Sequence, residues 1–174
     1  MTQRRILIVD DEEEVRSTMS RVLERDGYRV LLAENAEQGQ RLLQEHPIHL
    51  VISDHHMSGM TGIEFLKAAG ERHPEVVRMI MSGDPDNRVV IRSIREGRVF
   101  WFLRKPWDNT LLRVVVYLAF QRRELEDQNR QLLTALGRQL AFLQELEAEF
   151  PELRARARGE AQALRAAQGY TGSR

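Results

Sequence analysis

The strongest constraint in this sequence is an alternation. Short, largely apolar runs are separated by stretches whose apolar residues recur every three or four positions. Ile6–Val9, Tyr28–Ala33, Ile48–Ser53, Val76–Met81 and Val99–Arg104 read as strands. Glu12–Asp26, Ala36–His46, Ile63–Arg72 and Asn87–Glu96 read as helices, with Gly27 and Gly97 as stops after the first and last of these. Strands that are apolar along their whole length are buried on both faces. The expected fold is therefore α/β: five parallel strands, doubly wound, with helices on both sides. In such sheets ligands bind at the carboxyl ends of the strands, near the point where the strand order reverses.

From Asp108 onward no strand signal returns, and a fifth helix runs on into a heptad pattern. One register holds Val115, Arg122, Asn129, Leu136, Leu143 and Phe150; the other holds Leu118, Leu125, Leu132, Gln139, Leu146 and Leu153. About five heptads are enough to expect a coiled coil, and a seam Asn favours a two-stranded parallel register. The expected dimer seam is Leu118, Leu125, Asn129, Leu132, Leu136, Leu143 and Leu146. Gly137 weakens the helix locally and Pro151 breaks it. These features divide the chain into a domain over 1–118, a coiled-coil helix over 119–150, and a short helix and tail over 151–174.

Composition excludes several classes. The 174 residues carry 26 basic and 26 acidic side chains, so bulk charge does not direct the chain to nucleic acid or an anionic membrane. The Arg154, Arg156 and Arg158 cluster is interleaved with alanine and reads as a solvated helix face, with no direct nucleic-acid contact. The absence of cysteine removes disulfides, thiolate metal sites and a cysteine nucleophile. The longest apolar run, Leu111–Phe120, contains Arg113 and is far short of the roughly 18–20 residues that span a bilayer. The N-terminus has no signal-peptide pattern, so a cytoplasmic location is expected.

The strand ends carry the chemistry. Asp10 and Asp11 follow the first strand and Asp54 the third; Ser82 follows the fourth and Lys105 the fifth. A parallel sheet brings these ends to one edge. Carboxylates crowded together raise one another's pKa, and a divalent cation relieves the repulsion. All-oxygen ligation suits Mg2+, which favours a phosphate as co-ligand. Lys105 offers a compact charge to a phosphoryl oxygen, and Ser82 a hydrogen bond. Of the 26 basic residues only Lys67 and Lys105 are lysine, so a lysine at this strand end answers a chemical need.

The segments Ile6–Glu12, Asp54–Gly62, Met81–Gly83 and Lys105–Pro106 resemble the receiver domains of two-component response regulators, over residues 4 to about 120. That resemblance implies a flavodoxin-like receiver fold. It implies Asp54 as phosphoacceptor, phosphorylated by a partner histidine kinase. Asp10, Asp11, Asp54 and the His56 backbone carbonyl would bind Mg2+. Ser82 would move toward the phosphoryl group, and Phe102 would be the aromatic switch residue. The Lys105–Pro106 bond would be cis. The turn Lys105-Pro106-Trp107-Asp108 looks like a subgroup joined through a coiled coil to an output domain, here expected to lie beyond residue 174. Such a chain is a self-phosphorylating signalling domain and not itself an enzyme. Trp101 and Trp107 are expected to pack beside the last helix, with a secondary interface role.

Three features depart from the family pattern. Ser58 stands where proline is usual, Phe102 lacks the hydroxyl of a tyrosine, and His55 and His56 flank the phosphoacceptor. The two histidines either tune access and dephosphorylation or are plain loop residues. Asp54-His55-His56 also resembles the motif of DHH phosphoesterases, but the further separated aspartates of those enzymes are missing and Lys105 would be unexplained. An adaptor with an idle site is the other alternative. It conflicts with a set of site residues in which nothing is lacking.

Overall fold

The computed structural model describes residues 3–83, 99–150 and 159. Five strands form one sheet: β1 (Arg5–Val9), β2 (Arg29–Ala33), β3 (Leu50–Asp54), β4 (Val77–Ser82) and β5 (Trp101–Arg104). All pairings are parallel and the order is β2-β1-β3-β4-β5. The helices are α1 (Glu13–Arg25), α2 (Ala36–Glu45), α3 (Gly62–Arg72) and α4 (Asn109–Glu149). This is the doubly wound, flavodoxin-like arrangement expected. The helix expected over Asn87–Glu96 lies outside the described residues, as does the tail after Phe150 apart from Gly159.

The burial pattern explains why the strands read as continuous apolar runs. Ile6, Leu7, Ile8 and Val9 are all fully buried, because each face of β1 meets a helical layer. Ile6 and Ile8 join Met19, Leu23, Leu50, Ile52, Leu103 and Val116 on one side. Leu7 and Val9 join Leu43, Val51, Phe65, Leu66 and Ile80 on the other. β1 and β3 are both interior strands, and their carboxyl ends lie side by side at the reversal of strand order between them.

Local signals set the helix starts. Asn35 caps α2 by accepting from the Gln38 amide. Thr61 and Glu64 make a reciprocal capping box at α3. Gly62, the first residue of α3, is fixed by crowding: a Cβ there would meet the Asp54 carbonyl oxygen at 1.9 Å. Gly59, at φ +84°, takes the left-handed conformation that glycine adopts most readily.

Helix α4 uses two faces. Leu112, Val115, Val116, Ala119 and Phe120 are buried, at the i, i+3, i+4 spacing of a face packed on a core. Phe120 stacks on Tyr28 at 5.1 Å between ring centres, with the Arg4 guanidinium 5.2 Å from its ring centre. Arg123 donates to the Glu75 carbonyl. The packed face of this unit therefore reaches beyond residue 118, and the chain divides after Glu126. Past that point α4 continues to Glu149 with nearly every residue exposed. No helix among the described residues is long and apolar enough to cross a membrane.

Candidate phosphoacceptor site

β1, β3, β4 and the turn after β5 deliver the site. Asp10 follows β1 and is fully buried, its position set by hydrogen bonds rather than by apolar packing. Its Oδ1 accepts the Glu12 amide at 2.8 Å, and its backbone carbonyl accepts from Arg16. Asp54 and Ser82 are the last residues of β3 and β4 rather than loop residues, and both are buried. Pairing of Asp54 with Met81 sets Ser82 one position further along the neighbouring strand. The His56 amide donates to Asp54 Oδ2 at 2.6 Å.

Lys105 crosses the carboxyl edge of the sheet. Its Nζ lies 2.7 Å from Asp54 Oδ1, 2.7 Å from Asp10 Oδ2 and 3.3 Å from Glu12 Oε1. The Lys105 amide donates to the Ser82 carbonyl, extending the β4–β5 pairing to the lysine itself. The Lys105–Pro106 bond is cis. Burial alone pulls the Lys105 ammonium down, but hydrogen bonds and charge from Asp10 and Asp54 outweigh it and hold its pKa well above the ordinary lysine range. Burial raises the pKa of Asp10, and the bonds from Lys105 and the Glu12 amide offset only part of that rise.

The donor set fits Mg2+. Two buried carboxylates converge on a single ammonium, and Asp11 and Glu12 stand exposed beside them. Among the described residues, no three acidic or imidazole side chains are gathered tightly enough to ligate a metal by themselves. That suits an ion that keeps several waters and uses one or two carboxylates plus a phosphate.

The other expected residues divide. Phe102 is half-buried against the Leu7 side of the core, and Trp107 is half-buried against the Ile6 side. Trp101 departs from the packing expected of it. It opens an edge strand and is exposed, with its ring 6.4 Å from that of Phe100. The His55 and His56 rings meet edge-to-face at 4.5 Å, and His56 is exposed. The His55 backbone is locked on both sides, its amide to the Met81 carbonyl and its carbonyl to the Gly62 amide. Sequence reasoning passed over Glu12 as a partner of Lys105 and over Arg16 as a clamp on Asp10. The acidic run at 10–14 hinted at the first, and nothing in the sequence pointed to the second.

A doubly wound parallel sheet with buried aspartates and one lysine at its carboxyl edge is the arrangement of a receiver-type signalling domain. The family model for the response regulator receiver domain matches residues 6–117, and the chain belongs to that family. It is similar to the hydrogenase transcriptional regulatory protein HoxA of Cupriavidus necator, 36% identical over 105 residues that make up 60% of this chain and 22% of HoxA. It is also similar to the solved receiver domain of an HD domain-containing protein from Pseudomonas fluorescens. There the identity is 29% and the TM-score 0.71, over 74% of this chain and 94% of that one. A third likeness is to the beryllofluoride-activated NtrC4 receiver domain dimer, at 26% identity and TM-score 0.65, over 68% of this chain and 98% of that one. The chain spans about a quarter of the length of several curated relatives it matches.

Proposed function

We propose that the chain is a phosphorylation-activated response regulator in which Asp54 is the phosphoacceptor. The observation that carries this reading is the bridge of Lys105 to both Asp10 and Asp54 at 2.7 Å, made by one of only two lysines in the chain. A carboxylate oxygen of Asp54 attacks the phosphorus of a phosphohistidine on a partner kinase. The P–N bond breaks, the imidazole leaves, and an aspartyl phosphate remains. Asp10, Asp11, Asp54 and the His56 carbonyl would hold Mg2+, whose charge offsets that of the incoming phosphoryl group. Lys105 moves from carboxylate to phosphoryl oxygen, and the Ser82 hydroxyl donates to another. Phe102 follows Ser82 inward.

The readout passes along α4. Its packed face belongs to the receiver and its continuation carries the heptads, so a shift at the receiver alters the pairing of a parallel homodimer through Leu118, Leu125, Asn129, Leu132, Leu136, Leu143 and Leu146. Support comes from the unbroken helix over Asn109–Glu149 and from the dimer formed by the related activated receiver. The greater length of the relatives supports an output domain as the next link, with the chain acting in the cytoplasm.

The test is phosphoryl incorporation from a small phosphodonor with Mg2+. The native chain is expected to take up one acid-labile phosphoryl group that alkali also releases, and Asp54→Asn to take up none. Incorporation that persists in Asp54→Asn overturns the assignment.

A further inference from the structure

Helix α4 changes character part-way along the heptad pattern. In its first section Leu118 and Leu125 are apolar and exposed, but the alternate seam positions hold Arg122 and Asn129. Arg122 is already engaged, 5.4 Å from the centre of the Phe100 ring and 2.8 Å from Glu126. The positions flanking this section are Gln121, Glu126 and Gln128. Such a seam is narrow and polar-edged, as a two-stranded pairing requires.

The section over 132–146 differs. The seam positions hold Leu132, Leu136, Leu143 and Leu146, with Gln139 the one polar residue among them, and both flanks are apolar: Leu133 and Leu140 on one side, Ala135 and Phe142 on the other. Leu133, Leu140 and Phe142 are at least 60% exposed. From Gln128 to Leu146 the only charges are Arg130, Arg138 and Glu145, all on the opposite side of the helix. Four of seven residues are apolar within 132–138 and again within 139–145, where a two-stranded coil covers two positions per heptad. Leu136 and Leu143 also occupy the position where β-branched residues favour two strands. A dimer would leave Leu133, Leu140 and Phe142 on its rims as a continuous apolar band, of the kind that marks an interaction surface.

We infer that the 132–146 section joins two dimers of this chain into a tetramer, with Leu133, Leu140 and Phe142 covered by the second dimer. The inference rests on the dimeric reading proposed above and extends it. Further copies of the chain are the occupant for two reasons. The band continues the same heptad pattern that pairs the helices, and its flanks carry no charge to repel an identical helix in either direction.

Absolute mass of the full chain by light scattering and sedimentation, over a hundredfold range of concentration, tests this. The native chain is expected to reach four times the chain mass. Leu133→Glu/Leu140→Glu should halve that to a dimer, and the milder Leu133→Gln/Leu140→Gln should weaken tetramer formation at least tenfold. Far-UV circular dichroism should show retained helix, and phosphoryl uptake at Asp54 should be unchanged. A native chain that stays dimeric at every concentration overturns the tetramer and leaves the dimer standing; the band is then covered within the dimer or by another protein. A tetramer indifferent to both double variants also overturns the inference. A monomer throughout overturns the tetramer and the dimeric reading together.

Discussion

At the scale of single residues, the site is a charge balance. Asp10 and Asp54 are buried carboxylates a salt-bridge length from one ammonium. Removing one partner of a buried ion pair leaves uncompensated charge, which costs several times more than an exposed pair contributes. Lys105→Met is therefore expected to destabilise the fold by about 3 kcal/mol without metal. The loss should shrink when Mg2+ is added, because an ion bound only by the native state adds stability by mass action. Urea titrations with and without Mg2+ check both statements. A pH series adds a signature. A lysine with a raised native pKa contributes stability that is complete below its ordinary value of 10.5 and fades as pH rises through the raised value. Tyr28, whose hydroxyl is raised by burial, adds a loss of the same sign. Native stability should thus fall steeply above pH 10.5, and Lys105→Met should keep only the shallower fall. Equal slopes in the two proteins would remove Lys105 from the balance.

At the scale of elements, α4 is the piece whose role depends on where one looks along it. Phe120 ends its packed face, and four groups from elsewhere in the receiver hold it: Tyr28, His49, Arg4 and the surrounding core. Truncating a buried aromatic costs about 3–5 kcal/mol. Phe120→Ala is expected to destabilise the receiver by roughly that amount. It should also weaken the link between Asp54 and the distal helix, seen as less beryllofluoride-induced change in a probe placed near Leu125. Unchanged stability would mean that the helix is not anchored there. Much at this scale was legible beforehand. The strands, α1, α2 and α3 appear within a few residues of expectation, because buried parallel strands and amphipathic helices leave different periodicities. Trp101 was not legible. A tryptophan near a core strand reads as packing, and only the sheet order reveals that β5 is an edge.

At the scale of the whole molecule, the question is whether phosphorylation changes assembly or changes geometry within a standing assembly. The 132–146 section presents its apolar band regardless of the state of Asp54, so association should be constitutive. Mass in solution is expected to be the same with Mg2+ alone and with Mg2+ plus beryllofluoride, with Asp54→Asn as control. A mass that rises only with beryllofluoride would place control in assembly itself.

The sequence by itself determined the order of strands and helices, the carboxylates at the strand ends, the lysine that faces them and the heptads that follow. All of these depend on spacing along the chain, and spacing is local. Tertiary structure decided which groups meet. Lys105 reaches Asp10 across 95 positions, and Glu12 joins them because α1 starts beside the site. Gly62 must be glycine because α3 begins against the Asp54 carbonyl. The heptad position of Val115 belongs to the receiver core, while those of Leu118 and Leu125 remain outside it. Periodicity marks a residue as apolar or charged, but its partner is set by how the sheet orders its strands and by which face of a helix that sheet covers.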